Sequence, residues 1–296
     1  MKDDLFKDTR KIVIWFVAFM TLLIGVSGNV LVLVAVWKKR WLRSTTNYLL
    51  ASLAASDLTT LVSIIFMLIP ELVELQEGPL ADFLCMFLMS YHLPITGSFV
   101  SILTLTVLSV ERYHAVVKPM KTGIRLRDET VKYAVIGTWT TGIVLTCPLY
   151  TFSVFKASSH SCTRSVNKTG FTIYWVCLAI IGIVVPFFII SFCYFQIVRE
   201  LYFKNKVEPQ NVAAEEDARS KRKLVKLSLT LTGAFVLFLF PLAITTAMRL
   251  IDDKAYGKLY KYAAIVFFIQ AAINPVIYSF QSTNFRQAFK EILKCS

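Results

Sequence analysis

Charge is what most of this sequence lacks. Only 17% of its 296 residues are Asp, Glu, Lys or Arg, and these gather into short clusters. Between the clusters lie charge-free runs at Ile12–Trp37, Phe83–Val110, Tyr133–Phe155, Phe171–Val198, Leu227–Met248 and Tyr262–Phe285. A seventh run, Tyr48–Pro70, holds one charge, Asp57. Histidine is also scarce: His92, His114 and His160 are dispersed, without metal-ligand spacing. There is no phosphate-cradling glycine loop and no nucleophile elbow. These absences argue against an enzyme. A transporter or channel would show repeated halves and several midplane charges, and neither is present. No soluble module carries a basic face, so nucleic acid is not expected as a partner.

What the chain does have is apolar length. Apolar residues make up 56% and mean hydropathy is +0.60, against about 45–50% apolar in soluble domains. Each run supplies the ~20 residues a helix needs to cross ~30 Å of hydrocarbon. In lipid only helices or closed barrels satisfy every backbone group, and runs this continuous are not the alternating barrel pattern. The expected fold is therefore an all-α membrane protein, one seven-transmembrane helix bundle over residues 1–296. Its approximate spans are 12–37, 48–70, 83–110, 133–155, 171–198, 227–248 and 262–280. The first run is too long for a signal-peptide core and is read as a span behind an outer tail of eleven residues.

Charge also sets orientation. With the N-terminus outside, the cytoplasmic segments hold 21 Lys and Arg against 9 acids, and the outer segments 11 against 9. This positive-inside bias supports N-out, C-in. The net charge of +13 then answers to anionic inner-leaflet lipid. After the seventh run, Phe285, Phe289, Ile292 and Leu293 recur at helical spacing while Arg286, Lys290 and Lys294 occupy another face. An amphipathic interfacial helix over 284–295 is expected. Cys295 ends it where a thiol reaches the bilayer for palmitoylation; an unmodified cysteine is the alternative. Cys147, Cys177 and Cys193 fall inside spans, and Cys85 and Cys162 on the oxidising outer side. Asn167-Lys168-Thr169 is a glycosylation sequon in the second outer loop.

Two short motifs stand at the inner ends of spans: Glu111-Arg112-Tyr113 after the third, and Asn274-Pro275-Val276-Ile277-Tyr278 closing the seventh. Asn29, Asp57, Trp139, Pro186 and Pro241 each sit in a span of their own. In this register the chain resembles a rhodopsin-type (class A) G-protein-coupled receptor, closest in character to peptide-type or orphan members, and the resemblance covers nearly its whole length. It implies a plasma-membrane, multi-pass protein that passes an extracellular signal to heterotrimeric G proteins, with arrestin as a further partner.

The resemblance also implies roles. Arg112 would be held by Glu111 at rest and then released toward the G protein, Tyr194 and Tyr278. Lys221 stands where a second acidic clamp is usual. Met120, after Pro119, matches the apolar plug into the G protein. Ile102, Pro186 and Phe235 match the core connector that repacks on activation. Asp57 is the one charge within the spans, a functional-site hypothesis by default. With Asn29, Ser101 and Asn274 it matches a sodium site, thinned by Gly97 and Ala271; the competing reading is a protonated Asp57 bonded to Asn29 and Asn274. No other cofactor is implied. Leu239 replaces the tryptophan common in the sixth span. Cys85 lies two residues further from Arg112 than usual, an excess that a kink at Pro94 is expected to absorb, so that Cys85 and Cys162 pair.

At the outer face, Phe268 stands where an opsin needs its lysine, and Pro94 where amine receptors need an aspartate. The expected ligand cavity comprises Tyr91, His92, Ile95, Phe99, Leu242, Thr246, Arg249, Ala264 and Phe268. It is greasy, with Arg249 at its rim, and suits a peptide or a lipid whose acid meets Arg249. Arg249 snorkelling to headgroups is the alternative. A binding-only decoy receptor is the competing function, given Leu239.

Overall fold

The computed structural model describes residues 2–67, 75–118, 126–151, 153–156, 158, 161–164, 168–204 and 212–294. Met120, Asn167 and Cys295 lie outside them. Seven long helices run α1 (Lys2–Lys38), α2 (Thr45–Met67), α3 (Pro79–Val117), α4 (Val131–Tyr150), α5 (Lys168–Lys204), α6 (Val212–Ile251) and α7 (Asp253–Gln281), followed by a short α8 (Thr283–Lys294). Among the described residues, six of these are long and apolar enough to cross a membrane. The remaining one, α4, carries Thr138, Thr140, Thr141 and Thr146, which dilute its apolar character.

The residue distribution is that of a protein dissolved in lipid. Large apolar side chains face outward, among them Phe16, Trp37, Phe188, Phe195 and Leu237, while Asn29, Ser56, Asp57, Thr60, Ser101 and Asn274 are buried. Hydrocarbon is as apolar as leucine, so helix association rests on close packing and interhelical hydrogen bonds rather than on hiding apolar surface. Asn29 shows the consequence: its Nδ2 donates to the Gly25 carbonyl at 2.9 Å and across to the Ala271 carbonyl at 2.8 Å, tying α1 to α7. Trp139 Nε1 donates to Ser52 Oγ at 3.1 Å and ties α4 to α2.

α3 is the central post. It packs on α2, α4, α5 and α6, while α1 and α6 flank α7. Gly97 lets α3 close on α2: a Cβ there would stand 2.8 Å from the Ser56 carbonyl. α8 turns back under the bundle, where Phe285 stacks on Tyr278 at 5.3 Å and Lys39 pairs with Glu291 at 2.7 Å. The hydrogen bond from Lys39 holds the Glu291 carboxyl below its usual range.

Two expectations need correction. The charge-free run 133–155 is helical only to Tyr150; Ser153–Lys156 forms strand β1, antiparallel to β2 (Ser161–Arg164). Freedom from charge does not distinguish a span from an apolar hairpin strand. Second, the irregularity in α3 is not at Pro94. A π-helical turn over Cys85–Met89 and a break at Ser90 and Tyr91 precede a fresh helix from His92. A π turn takes up an extra residue. Pro94 then falls in the first turn of the new segment, where a missing N–H costs nothing.

That geometry delivers Cys85 to the hairpin. The Cys85–Cys162 disulfide is formed, with Cα atoms 5.6 Å apart. Phe155, paired opposite Cys162, donates its backbone N–H to Asp82 Oδ1 at 2.9 Å, and Ala81, Cys85, Met89 and Phe155 form a small apolar cluster beneath.

Candidate functional site

The bundle has a hairpin end and an α8 end, with candidate chemistry at both and a packed core between. At the α8 end, Glu111 and Arg112 are both buried, 3% and 7% exposed. Arg112 Nε donates to Glu111 Oε2 at 2.5 Å, and its Nη2 donates to Thr46 Oγ1 on α2. A buried guanidinium costs several kcal/mol unless paired, and this one has a carboxylate and a hydroxyl. Thr46 escaped the sequence reading, since a threonine in the first turn of a helix carries no distinguishing signal. Thr45 beside it donates to Asp128 Oδ1 at 2.9 Å. Tyr113 turns away from Arg112, its ring 6.0 Å from that of Phe192.

Tyr194 OH lies 3.3 Å from Thr232 Oγ1, a bond between α5 and α6. Tyr278 is fully buried, and its hydroxyl has no hydrogen-bond partner among the described residues. Pro275 leaves its turn of α7 open, and its carbonyl accepts from Ser279 Oγ at 2.9 Å.

One turn deeper, Asn274 Nδ2 donates to Asp57 Oδ2 at 2.6 Å. Asn29 does not share that bond, because its amide is engaged by the Gly25 and Ala271 carbonyls. Ser101 Oγ is 2.8 Å from Ser56 Oγ, so its hydroxyl is engaged by α2. The amide oxygens of Asn29 and Asn274 are buried without partners among the described residues.

In the core, Ile102 and Phe235 belong to one cluster with Leu105, Tyr194 and Tyr278, with Leu239 packed against it. Pro186 is buried in α5 just after a π-helical segment, Ile180–Val184. Gly182 in that segment lies directly under the Phe99 ring, which occupies the place a Cβ would take.

At the hairpin end a cavity of about 100 Å³ is lined by Tyr91, Ile95, Phe99, Leu242, Ala264 and Phe268, as expected from the sequence, and reaches Ile102 and Leu239 at its floor. Three expected members are not in its wall. His92 turns toward α4, its Nδ1 3.3 Å from the Met86 carbonyl and its ring 5.2 Å from Tyr150. The break before His92 resets the helix phase and swings this ring away. Thr246 folds its hydroxyl onto the Leu242 carbonyl at 2.7 Å. Arg249 stacks over the Tyr260 ring at 4.3 Å, and Tyr260 in turn lines the cavity 6.1 Å from Tyr91. Arg249 thus stands at the mouth, a layer above the wall. Tyr260 and Trp175 are wall residues the sequence did not reveal. Lys258 and Lys261 flank Tyr260 and place it outside the charge-free run.

Comparison with known proteins gives this arrangement a family context. Residues 28–278 match the model of the 7 transmembrane receptor (rhodopsin family). Similar proteins include the somatostatin receptor type 5 of Bos taurus, 26% identical over 288 residues that cover 96% of this chain and 77% of the receptor. The type 2 receptor of Mus musculus is 25% identical, covering 96% and 78%, and the type 1 receptor of Rattus norvegicus 25%, covering 95% and 72%.

Proposed function

The chain belongs to the rhodopsin family of seven-transmembrane receptors, and from that premise we propose that it carries a peptide signal from the hairpin end to a heterotrimeric G protein at the α8 end. The observation that carries this reading is the continuity of its core. Ile102 lines the cavity and also packs in one cluster with Phe235, Tyr194 and Tyr278, so a ligand pressing on the cavity floor acts on the side chains around Arg112's end of the bundle. A packed core transmits such a push by switching between discrete arrangements. The hairpin end faces outside, as the charge bias requires, in the plasma membrane.

A peptide ligand is supported by the relatives, which are receptors for somatostatin, a peptide. The cavity is narrow and apolar, which suits insertion of one or two side chains from a larger ligand. Arg249 over Tyr260 offers a cation at the mouth for an acidic group. At the inner face, release of Arg112 from Glu111 and Thr46 frees a guanidinium for the G protein, with Tyr194 and Tyr278 as its new neighbours. Arrestin would use the same cleft.

The family implies one resident ion, sodium. The residues fit it: Asp57 brings a carboxylate, and the buried oxygen of Asn274, beside it and without a partner among the described residues, is an acceptor suited to a hard cation. Asp57, Ser101 and Asn274 would hold it, and it would supply countercharge to Asp57. The chain's own contribution is a polar network joining α1, α2, α3 and α7.

Nucleotide exchange by purified G proteins, measured while the receptor is screened against peptide and lipid libraries, tests the reading. A peptide that raises exchange supports it. Activation by lipids alone would reassign the ligand, and binding without exchange would make the protein a decoy.

A further inference from the structure

A second cavity, of about 660 Å³, opens between α5 and α6 and faces outward. Its α5 wall is Val184, Phe187, Phe188, Ser191 and Tyr194, and its α6 wall is Leu229, Gly233, Val236 and Phe240. Leu229, Val236 and Phe240 are 43%, 38% and 61% exposed, on the surface that lipid covers. At ~1.5 Å per residue, the stretch from Leu229 to Phe240 is roughly 16 Å long. Half of a ~30 Å hydrocarbon core is about the same, the depth of one leaflet. The groove is therefore long enough to take one extended acyl chain over the depth of a leaflet.

Charge complements shape. Arg222, Lys226, Leu229, Gly233, Val236 and Phe240 follow one another at steps of four, three, four, three and four residues, which puts them on one face of α6. Arg222 and Lys226 are exposed, whereas Val225, Leu227 and Ser228 between and beside them are buried. The two cations thus belong to the groove's face of the helix and stand just beyond its α8 end. At its deep end the groove shares Ile102, Ile183, Leu239 and Ala243 with the ligand cavity.

We propose that this groove is a binding site for an anionic phospholipid, with one acyl chain between α5 and α6 and the headgroup on Arg222 and Lys226. With the orientation proposed above, that lipid comes from the inner leaflet, where anionic lipids concentrate. The chain packs against Leu239 and Phe235 and beside the Tyr194–Thr232 hydrogen bond, so its presence sets the spacing of the two helices. The site is distinct from the peptide cavity, although the two share a wall.

Photolabelling in lipid nanodiscs tests the proposal without any agonist or G protein, so its outcome is separate from that of the signalling reading. Phosphatidylserine with a diazirine on one acyl chain is compared with phosphatidylcholine carrying the same chain. The expected result is preferential labelling of 184–194 and 229–240 by the phosphatidylserine probe, competed by unlabelled phosphatidylserine. Gly233 lines the groove and has open space around its Cβ position, so Gly233→Phe directs a ring into the groove. It should abolish the preferential labelling of the groove by taking the space that one acyl chain needs. Gly137→Phe, at an equally open position on α4, should not lower it. Arg222→Gln with Lys226→Gln should abolish the headgroup preference. Should Gly233→Phe misfold, Gly233→Leu and the charge variants carry the test. Equal labelling by both probes, competition by cholesterol alone, or labelling indifferent to the Gly233 variants would overturn the proposal.

Discussion

Removing one hydroxyl, in Thr46→Val, should raise ligand-independent signalling. Thr46 and Val are nearly isosteric, so the change removes the hydrogen bond to Arg112 Nη2 while leaving volume intact. A hydrogen bond to a charged group contributes about 1.5–3 kcal/mol, and this one is buried. If only the resting arrangement contains it, the whole loss falls on that state. A shift of ~1.4 kcal/mol changes a two-state ratio tenfold, so the active fraction should rise by roughly one order of magnitude while it remains minor. Glu111→Gln should act in the same direction by weakening the other restraint on Arg112. The assay is basal nucleotide exchange in membranes with added G protein, normalised to surface receptor. A double-mutant cycle sharpens it: in an Arg112→Ala background, Thr46→Val should add nothing. Basal exchange equal to wild type at matched expression, or an undiminished Thr46→Val effect without Arg112, would refute the reasoning.

Arg112→Ala itself should abolish activation and also lower expression, because Glu111 is left as an unpaired buried charge at a cost of about 3–5 kcal/mol; adding Glu111→Gln should restore expression but not exchange. Leu239 borders both the ligand cavity and the α5–α6 groove, and a tryptophan there should pack the resting core more tightly, so Leu239→Trp should lower basal exchange; unchanged exchange in a well-expressed mutant refutes this. The Lys39–Glu291 pair should fail in acid. Glu291 is held below its usual range in the fold, so its contribution is present above the ordinary glutamate value of ~4.3 and is lost as pH falls through the lowered one. A spin label at Lys294 should grow more mobile over that window, and Glu291→Gln should remove the pH dependence. Finally, Asn167→Gln should delete a glycosidase-sensitive mass if the hairpin end faces outside.

The sequence by itself determined the solvent of this protein and the number of its helices. Runs such as Ile12–Trp37 cannot be kept in water, and being continuous rather than alternating they satisfy their backbone in lipid as helices, not as barrel strands. It also singled out a lone carboxylate at Asp57, the Glu111–Arg112 pair and the Cys85–Cys162 pair, of which the disulfide is formed. Six of the nine cavity residues that the resemblance implied do line the cavity, since a rigid helix carries its phase over many turns. Phase is also where the sequence stopped. His92 left the cavity because a π turn and a break reset α3, and no residue pattern announces how an extra residue is absorbed. Partners across helices were equally hidden. Thr46 on Arg112, Ser56 on Ser101 and Tyr260 under Arg249 each join residues dozens of positions apart or in a helix whose rotation is set by its neighbours. Gly182 under Phe99 and Gly97 against Ser56 set how closely α5 and α2 approach α3. Those approaches, and the gap left between α5 and α6, are sums of many small packing contacts distributed over the whole bundle. Only the tertiary structure adds them up.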